Sequence, residues 1–289
     1  MASMKNTAPH TPPHTTPRNS QRPKPRAARR PDTVSALDRG LELLQCFRAE
    51  QRALSSTDLA KLTGIPRPTV ARLAATLITH RWLQAEPGTE RYMLGAGVVS
   101  LAQSFLSGLD VRAVARAPMQ ALADSTGGSV YLAVRDGLDM VVIEACRARS
   151  TMLSARIDVG SRVPMPNSAL GRAYLGAVDA ATREQLLSSL RLARGSDWPA
   201  LETGLLGALA ERARTGLCLS VGEFHREINS VSVALRGPRG EVMAFNCGGS
   251  AFAFGQERLR SEVAPAMLRM AQQIAADIGG EAVLPQEAL

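Results

Sequence analysis

The chain has 289 residues, 45% of them hydrophobic and 21% charged, with a formal net charge of +8. That balance supports packed cores and excludes a wholly disordered chain, and the length suits roughly two domains of about 100–200 residues. No apolar run approaches the ~20 residues of a membrane-spanning helix, and no apolar segment follows the basic N-terminus, so the sequence predicts a cytoplasmic protein without a secretory signal or membrane partner.

The charge is uneven. Residues 1–32 hold Lys5, Arg18, Arg22, Lys24, Arg26, Arg29 and Arg30 against Asp32 alone, while the chain beyond residue 107 is neutral. The high isoelectric point therefore belongs mostly to the first segment. That segment, rich in Pro, Thr and Arg and without a hydrophobic period, reads as a disordered arm. It is either a solvated tail or an aid to binding a phosphate backbone.

From Val34 the pattern becomes helical, with Leu37, Leu41, Leu44 and Phe47 on one predicted face. A second short helix starts at Ser55, with Asp58 placed for a capping box, Leu59 and Leu62 on its apolar side and Gly64 at its end. The third runs from Ile65 to about Leu77. Pro68 suits its first turn, and Val70, Leu73 and Leu77 form its buried stripe. Arg67, Thr69, Arg72, Thr76 and Thr79 are left on the opposite side. Two helices around a tight Gly turn, the second with an Arg/Thr face, are the layout of a helix-turn-helix. Arginine can bind guanine O6 and N7 together, and hydroxyls near a helix N-terminus suit phosphate oxygens. The same face could also simply be solvated.

Trp82–Ala85 and Arg91–Leu94 flank a Pro-Gly turn and read as a hairpin, the wing of a winged helix. Residues 96–110 then form an apolar linker helix. Beyond it Val111–Ser125 is helical, Ser129–Val134, Met140–Cys146 and Leu153–Val159 are strands, and residues 168–178, 179–192 and 199–215 are helices. Strands Leu217–Val221, Ser230–Leu235 and Glu241–Gly248 precede a long helix from Gln256 to Ile278. Strands in meanders with helices set apart predict an α+β domain. The predicted organisation is a basic tail (1–32), a winged helix-turn-helix (33–95), a linker helix (96–110), a second domain (111–280) and a C-terminal tail (281–289).

In this order and spacing, several stretches carry a resemblance. They are Ala36-Leu37-Asp38-Arg39-Gly40-Leu41, Thr69-Val70-Ala71-Arg72-Leu73, Arg91-Tyr92-Met93-Leu94-Gly95, Gly160-Ser161-Arg162-Val163-Pro164 and Ser168-Ala169-Leu170-Gly171-Arg172-Ala173. Over about residues 33–280 the chain resembles the IclR family of bacterial transcriptional regulators. The resemblance implies a DNA-binding winged helix, a GAF-like effector domain, and dimers or dimers of dimers. It implies effectors that are small organic acids or aromatic catabolites. The candidate DNA contacts are Arg39, Ser56, Arg67, Thr69, Arg72, Thr76 and Arg91. The family's pocket positions fall on Met152, Val163, Ser168, Ala169, Leu170, Asn246 and Gly248, with Glu223 nearby. The helix opened by Ala169-Leu170-Gly171 could hold a carboxylate on its free N–H groups; equally, those small residues could serve close packing. Where many members carry an acidic residue and later a Cys, this chain has Ser220 and Ser230, so no particular ligand is implied.

Catalysis is the rival class. Cys218 or Cys247 with His225 would be the thiol–imidazole candidates, but no third orienting group accompanies them. The chain has no P-loop and no Gly-x-Ser-x-Gly elbow. With Cys46 and Cys146, the cysteines read as reduced, buried apolar residues. No clustered His/Cys set predicts a metal, and no cofactor is expected. A scaffold that uses the winged helix for protein contacts is the remaining alternative, and salt-dependent DNA affinity would exclude it.

Overall fold

The computed structural model describes residues 34–48, 50–149 and 157–284. The predicted arm over 1–32 lies outside them. The chain divides into two compact units, residues 1–103 and 104–289.

The first unit contains α1 (Ser35–Leu44), β1 (Leu54–Ser55), α2 (Ser56–Thr63), α3 (Arg67–Thr79), β2 (Leu83–Ala85) and β3 (Arg91–Leu94). The predicted hairpin is present, and β1 extends it to a sheet ordered β1-β3-β2, with Leu54 opposite Tyr92 and Ser55 opposite Arg91. A two-residue strand carries no periodicity, which is why the sequence pattern did not reveal it. The predicted stripe of α1 is partly wrong. Leu37 and Leu41 are 63% and 43% exposed, whereas Leu43 is fully buried and Phe47 nearly so. The apolar surface of α1 is wider than one stripe, and its packing on α3 takes the Leu43 side. Leu43 joins Leu54, Leu59, Ile65, Val70, Ala74 and Leu83 in the core.

Helix α2 begins on a complete capping box. The Ser55 hydroxyl accepts from Asp58 N at 3.2 Å, and the Asp58 carboxylate accepts from Ser55 N at 3.0 Å. The Ser55 hydroxyl also donates to that carboxylate and is the main cause holding the Asp58 carboxyl below its usual range. Gly64 closes the helix in the left-handed region at φ 72°, which favours glycine. Ser55→Ala is expected to cost about 1 kcal/mol of stability in this unit. Because the Asp58 pKa is lowered on folding, the wild-type advantage is full above the ordinary carboxylate pKa and is lost as acid protonates Asp58. Urea unfolding of both proteins at neutral and acid pH would check this. Equal midpoints at neutral pH would show that the box contributes nothing.

Helix α4 (Gly97–Ser107) occupies the predicted linker, with no residue fully buried and with Val99, Leu101 and Phe105 exposed.

The second unit opens with α5 (Asp110–Thr126), β4 (Ser129–Asp136), β5 (Asp139–Arg147) and β6 (Arg162–Pro164). Helices α6 (Ala169–Ala177), α7 (Ala180–Arg194) and α8 (Trp198–Thr215) follow, then β7 (Cys218–Val221), β8 (Ile228–Arg236) and β9 (Val242–Ser250). The C-terminal helix is one run in three parts: α9 (Gln256–Arg258), a π-helical turn Leu259–Val263, and α10 (Ala264–Ile278). Strand β10 (Glu281–Ala282) is the last element among the described residues.

The sheet is antiparallel, ordered β10-β8-β9-β4-β5-β6, and β7 also pairs with β8. One face packs on α5 and α10 through Met119, Leu132, Ile143, Phe245, Met267 and Ile274. The other packs on α6 and its neighbours through Tyr131, Met140, Val163, Met165, Leu175 and Trp198. Both faces are covered, so the inner strands β8 and β9 are buried at successive positions rather than at alternate ones. The buried carboxylate of Glu144 on β5 is matched by Arg112 and Arg116 of α5, each at 2.9 Å.

Two expectations are corrected here. The described strand between β5 and α6 is β6, which pairs with β5; of the predicted strand Leu153–Val159, residues 157–159 are not strand, and 153–156 lie outside the described residues. Residues 281–282, assigned to a tail, add a strand to β8, with Glu281 opposite Arg236. Strand membership in both places is set by a distant partner edge, which local apolar content does not report.

Candidate nucleic-acid interface and ligand cavity

In the first unit the α2–α3 turn presents one side of α3 outward. Thr69, Arg72, Thr76 and Thr79 follow one another at helical steps of three, four and three, so they form a single stripe. Arg72, Thr76 and Thr79 are exposed and Thr69 is half-buried, while Val70 and Ala74 are fully buried on the opposite side. Arg67 is exposed at the first position of the helix. Neither Arg67 nor Arg72 has an ion-pair partner among the described residues. Thr76 and Thr79 donate their hydroxyl protons back to the carbonyls of Arg72 and Ala75, at 3.2 and 3.1 Å, so they face outward as acceptors.

The other candidates sit around this stripe on different elements. Arg39 is half-buried on α1. The Ser56 hydroxyl lies 3.3 Å from the Tyr92 hydroxyl, joining the start of α2 to the wing. Arg91 is exposed at the first residue of β3 and reaches the Ala53 carbonyl only at 3.5 Å.

In the second unit one cavity is walled by the sheet, the start of α6 and the segment between β7 and β8. Its empty space, open solvent at the mouth included, is about 500 Å³. Of the predicted effector positions, Val163, Ser168, Ala169, Leu170, Asn246 and Gly248 line it together. Met152 lies outside the described residues. Glu223 does not line the cavity, although the next residue, Phe224, does.

Glu223 is instead engaged by Arg172. The Arg172 guanidinium, almost fully buried, donates to the two Glu223 carboxylate oxygens at 2.5 and 2.7 Å. It also donates to the carbonyls of Pro166 and Leu219. Asn167 adds a bond from its side-chain amide to the Glu223 carbonyl. These bonds hold the segment that carries Phe224 against α6.

Ser168 caps α6. Its hydroxyl accepts from Gly171 N at 3.1 Å and donates to Pro164 O at 2.5 Å, so its own donor is spent. The first N–H groups of α6, on Ala169 and Leu170, have no acceptor among the described residues, and both residues line the cavity. Sequence reasoning missed Ser129, Tyr131, Ile157, Phe224, Ile228 and Gly249 of the lining, and it noted Ser230 only as a departure from the family pattern, not as a contact. The available signal was polar: Ser230 and Ser232 sit two apart, on one face, in an otherwise apolar strand.

The thiols do not form a nucleophilic site. Burial pushes Cys218 up to about 12 and Cys247 up to about 11, keeping both protonated at neutral pH. Among the described residues no cluster of three or more His, Cys, Asp or Glu could hold a metal ion, and no single helix is long and apolar enough to cross a membrane.

A helix-turn-helix with a β wing, followed by an α+β unit, defines the class: a two-domain transcriptional regulator that binds DNA. Residues 36–87 match the profile of the IclR helix-turn-helix domain, and residues 103–276 match that of the bacterial transcriptional regulator IclR C-terminal domain. The chain belongs to the IclR family of bacterial transcriptional regulators, which are not enzymes. It is 33% identical over 248 residues to the HTH-type transcriptional regulator TsaQ1/TsaQ2 of Comamonas testosteroni, an alignment that covers 85% of this chain and 88% of that one. It is 26% identical to the Pca regulon regulatory protein of Pseudomonas putida, covering 74% and 73% of the two chains. Among solved structures, an IclR family transcriptional regulator from Brucella abortus superimposes with a TM-score of 0.78 at 36% identity, covering 86% of this chain and 94% of that one.

Proposed function

We propose that this regulator reads its operator through α3 and is controlled by a small organic acid or aromatic catabolite bound in the cavity of the second unit. The observation that carries the ligand reading is the cavity itself. It is mostly apolar, yet Ala169 and Leu170, which carry the two free N–H groups that open α6, are part of its lining, a setting that favours a carboxylate. Arg67, Thr69, Arg72 and Thr76 of α3, supported by Arg39, Ser56 and Arg91, are the proposed DNA contacts. The proposed ligand contacts are the cavity residues Val163, Ser168, Ala169, Leu170, Asn246 and Gly248, with Glu223 bracing the wall.

A homodimer, or a dimer of dimers, would place recognition helices in successive major grooves, so the operator is a rough palindrome with half-sites about one turn or a multiple apart. The acid favours one arrangement of the linker helices and so changes the spacing of the DNA-binding units. The coupling is reciprocal, so DNA alters affinity for the acid by the same factor.

The test is binding of the full chain to its own upstream intergenic DNA at two salt concentrations, with random-sequence competitor and then with a panel of organic acids. Tight binding that resists competitor and shifts with one class of acid is the expected result. Binding that random DNA removes and no acid alters would refute the reading.

A further inference from the structure

One buried polar atom in the cavity wall has no partner. Ser129, at the start of β4, is 1% exposed and lines the cavity, and its hydroxyl bonds nothing among the described residues. A buried hydroxyl left unpaired weakens the fold, and such groups are rare in native proteins. Its surroundings are ordered by strand register. Ser129 stands opposite Gly248 on β9, and Gly248 stands opposite Ser230 on β8. Two strand spacings separate the serines, about 10 Å between their Cα atoms. No side chain rises between them, because the intervening residue is glycine. A Cβ at Gly248 would lie 2.5 Å from the Asn229 carbonyl and from the Ser230 Cβ.

The next row along the same face is Tyr131, Asn246 and Ser232. Ser232 donates to Asn246 Oδ1 at 2.8 Å, which leaves the Asn246 amide N–H groups as donors beside the cavity. The sheet wall thus offers hydrogen-bonding groups at a place distinct from the α6 N-terminus.

We infer that the Ser129 hydroxyl is a specificity-determining contact for a second polar group on the ligand, so that the cavity selects hydroxylated carboxylic acids over their unsubstituted counterparts. The inference rests on the ligand reading given under Proposed function and deepens it. The carboxylate is held at the start of α6, the apolar body lies over the Gly248 floor, and the ligand's hydroxyl pairs with Ser129. A site built around a hydrogen bond rejects an analogue that lacks it, because the buried protein group is then left unpaired.

The experiment is calorimetric titration of the full chain with benzoate against its monohydroxylated isomers, and with hexanoate against its terminal hydroxy acid. Wild type and Ser129→Ala are compared, and the ligand-free melting temperature of each is recorded. Wild type is expected to bind at least one hydroxylated member about 10-fold more tightly than its partner, and Ser129→Ala to reduce that ratio to about 2-fold or less. Ligand-free Ser129→Ala is expected to melt at the wild-type temperature or above it, because an unpaired polar atom has been removed. Binding of the acids without a hydroxyl preference, or a preference that survives Ser129→Ala, overturns this inference and leaves the ligand reading standing. A lower ligand-free melting temperature also overturns it, since the hydroxyl would then serve the fold. If none of these acids binds wild type, both fall.

Discussion

Gly171→Ala is expected to cost about 3 kcal/mol, the upper part of the range for adding a methyl to a packed interior. A Cβ there would lie 2.2 Å from Met165 Cα and 2.4 Å from Met165 O, both backbone atoms that cannot rotate away. Relief requires the start of α6 to move away from the Met165 backbone. Ala169 and Leu170 at the start of α6 line the cavity, so binding of the proposed acid is expected to fall together with stability. For a unit of this size the loss corresponds to a melting temperature lower by roughly 6–12 °C. Gly207→Ala is the internal control. Gly207 lies on the exposed side of α8 with nothing within 4 Å of its added Cβ, so alanine is expected to raise stability by up to about 1 kcal/mol. Thermal unfolding of the two variants should move in opposite directions. If Gly171→Ala melts with wild type, the close approach of α6 to Met165 is not a constraint on the fold.

The second large effect belongs to the other unit. Arg72→Ala is expected to weaken operator binding by about 1–3 kcal/mol while leaving affinity for random DNA nearly unchanged, the signature of a residue that reads a base edge. Arg72 is exposed and has no ion-pair partner among the described residues, so its removal leaves no buried group behind. Arg67, at the start of α3, serves as the comparison. If it meets a phosphate, Arg67→Ala weakens binding on all sequences alike and lowers the slope of log affinity against log salt by about one. Competition titrations at several salt concentrations separate the two outcomes. An Arg72→Ala variant that loses operator and random DNA equally would move Arg72 from base to backbone.

Much of the architecture was legible because the signals involved are local. The capping box at Ser55 and Asp58, the Gly64 cap, the Pro68 start of α3 and the 3.6-residue period each depend on atoms within one or two turns, and the structure contains all of them. The site was legible only in part. Val163, Ser168, Ala169, Leu170, Asn246 and Gly248 do line one cavity, but Ser129 and Tyr131, paired with Gly248 and Asn246 in the same sheet wall, were not anticipated.

What the sequence by itself determined is therefore the class of fold, the order of its longer helices and strands and the face that α3 presents. Only the tertiary structure decided that α1 buries Leu43 rather than Leu37 and Leu41, that Arg162–Pro164 pairs with β5 as β6, and that residues 281–282 join β8. It also decided that Ser129, Gly248 and Ser230 stand in one row. The physical reason is range. Caps and helical periods are short-range preferences written into neighbouring residues, whereas strand register and the choice among competing apolar faces are settled by partners outside the local window, from residues on the next helices of the same unit to a strand more than a hundred residues away.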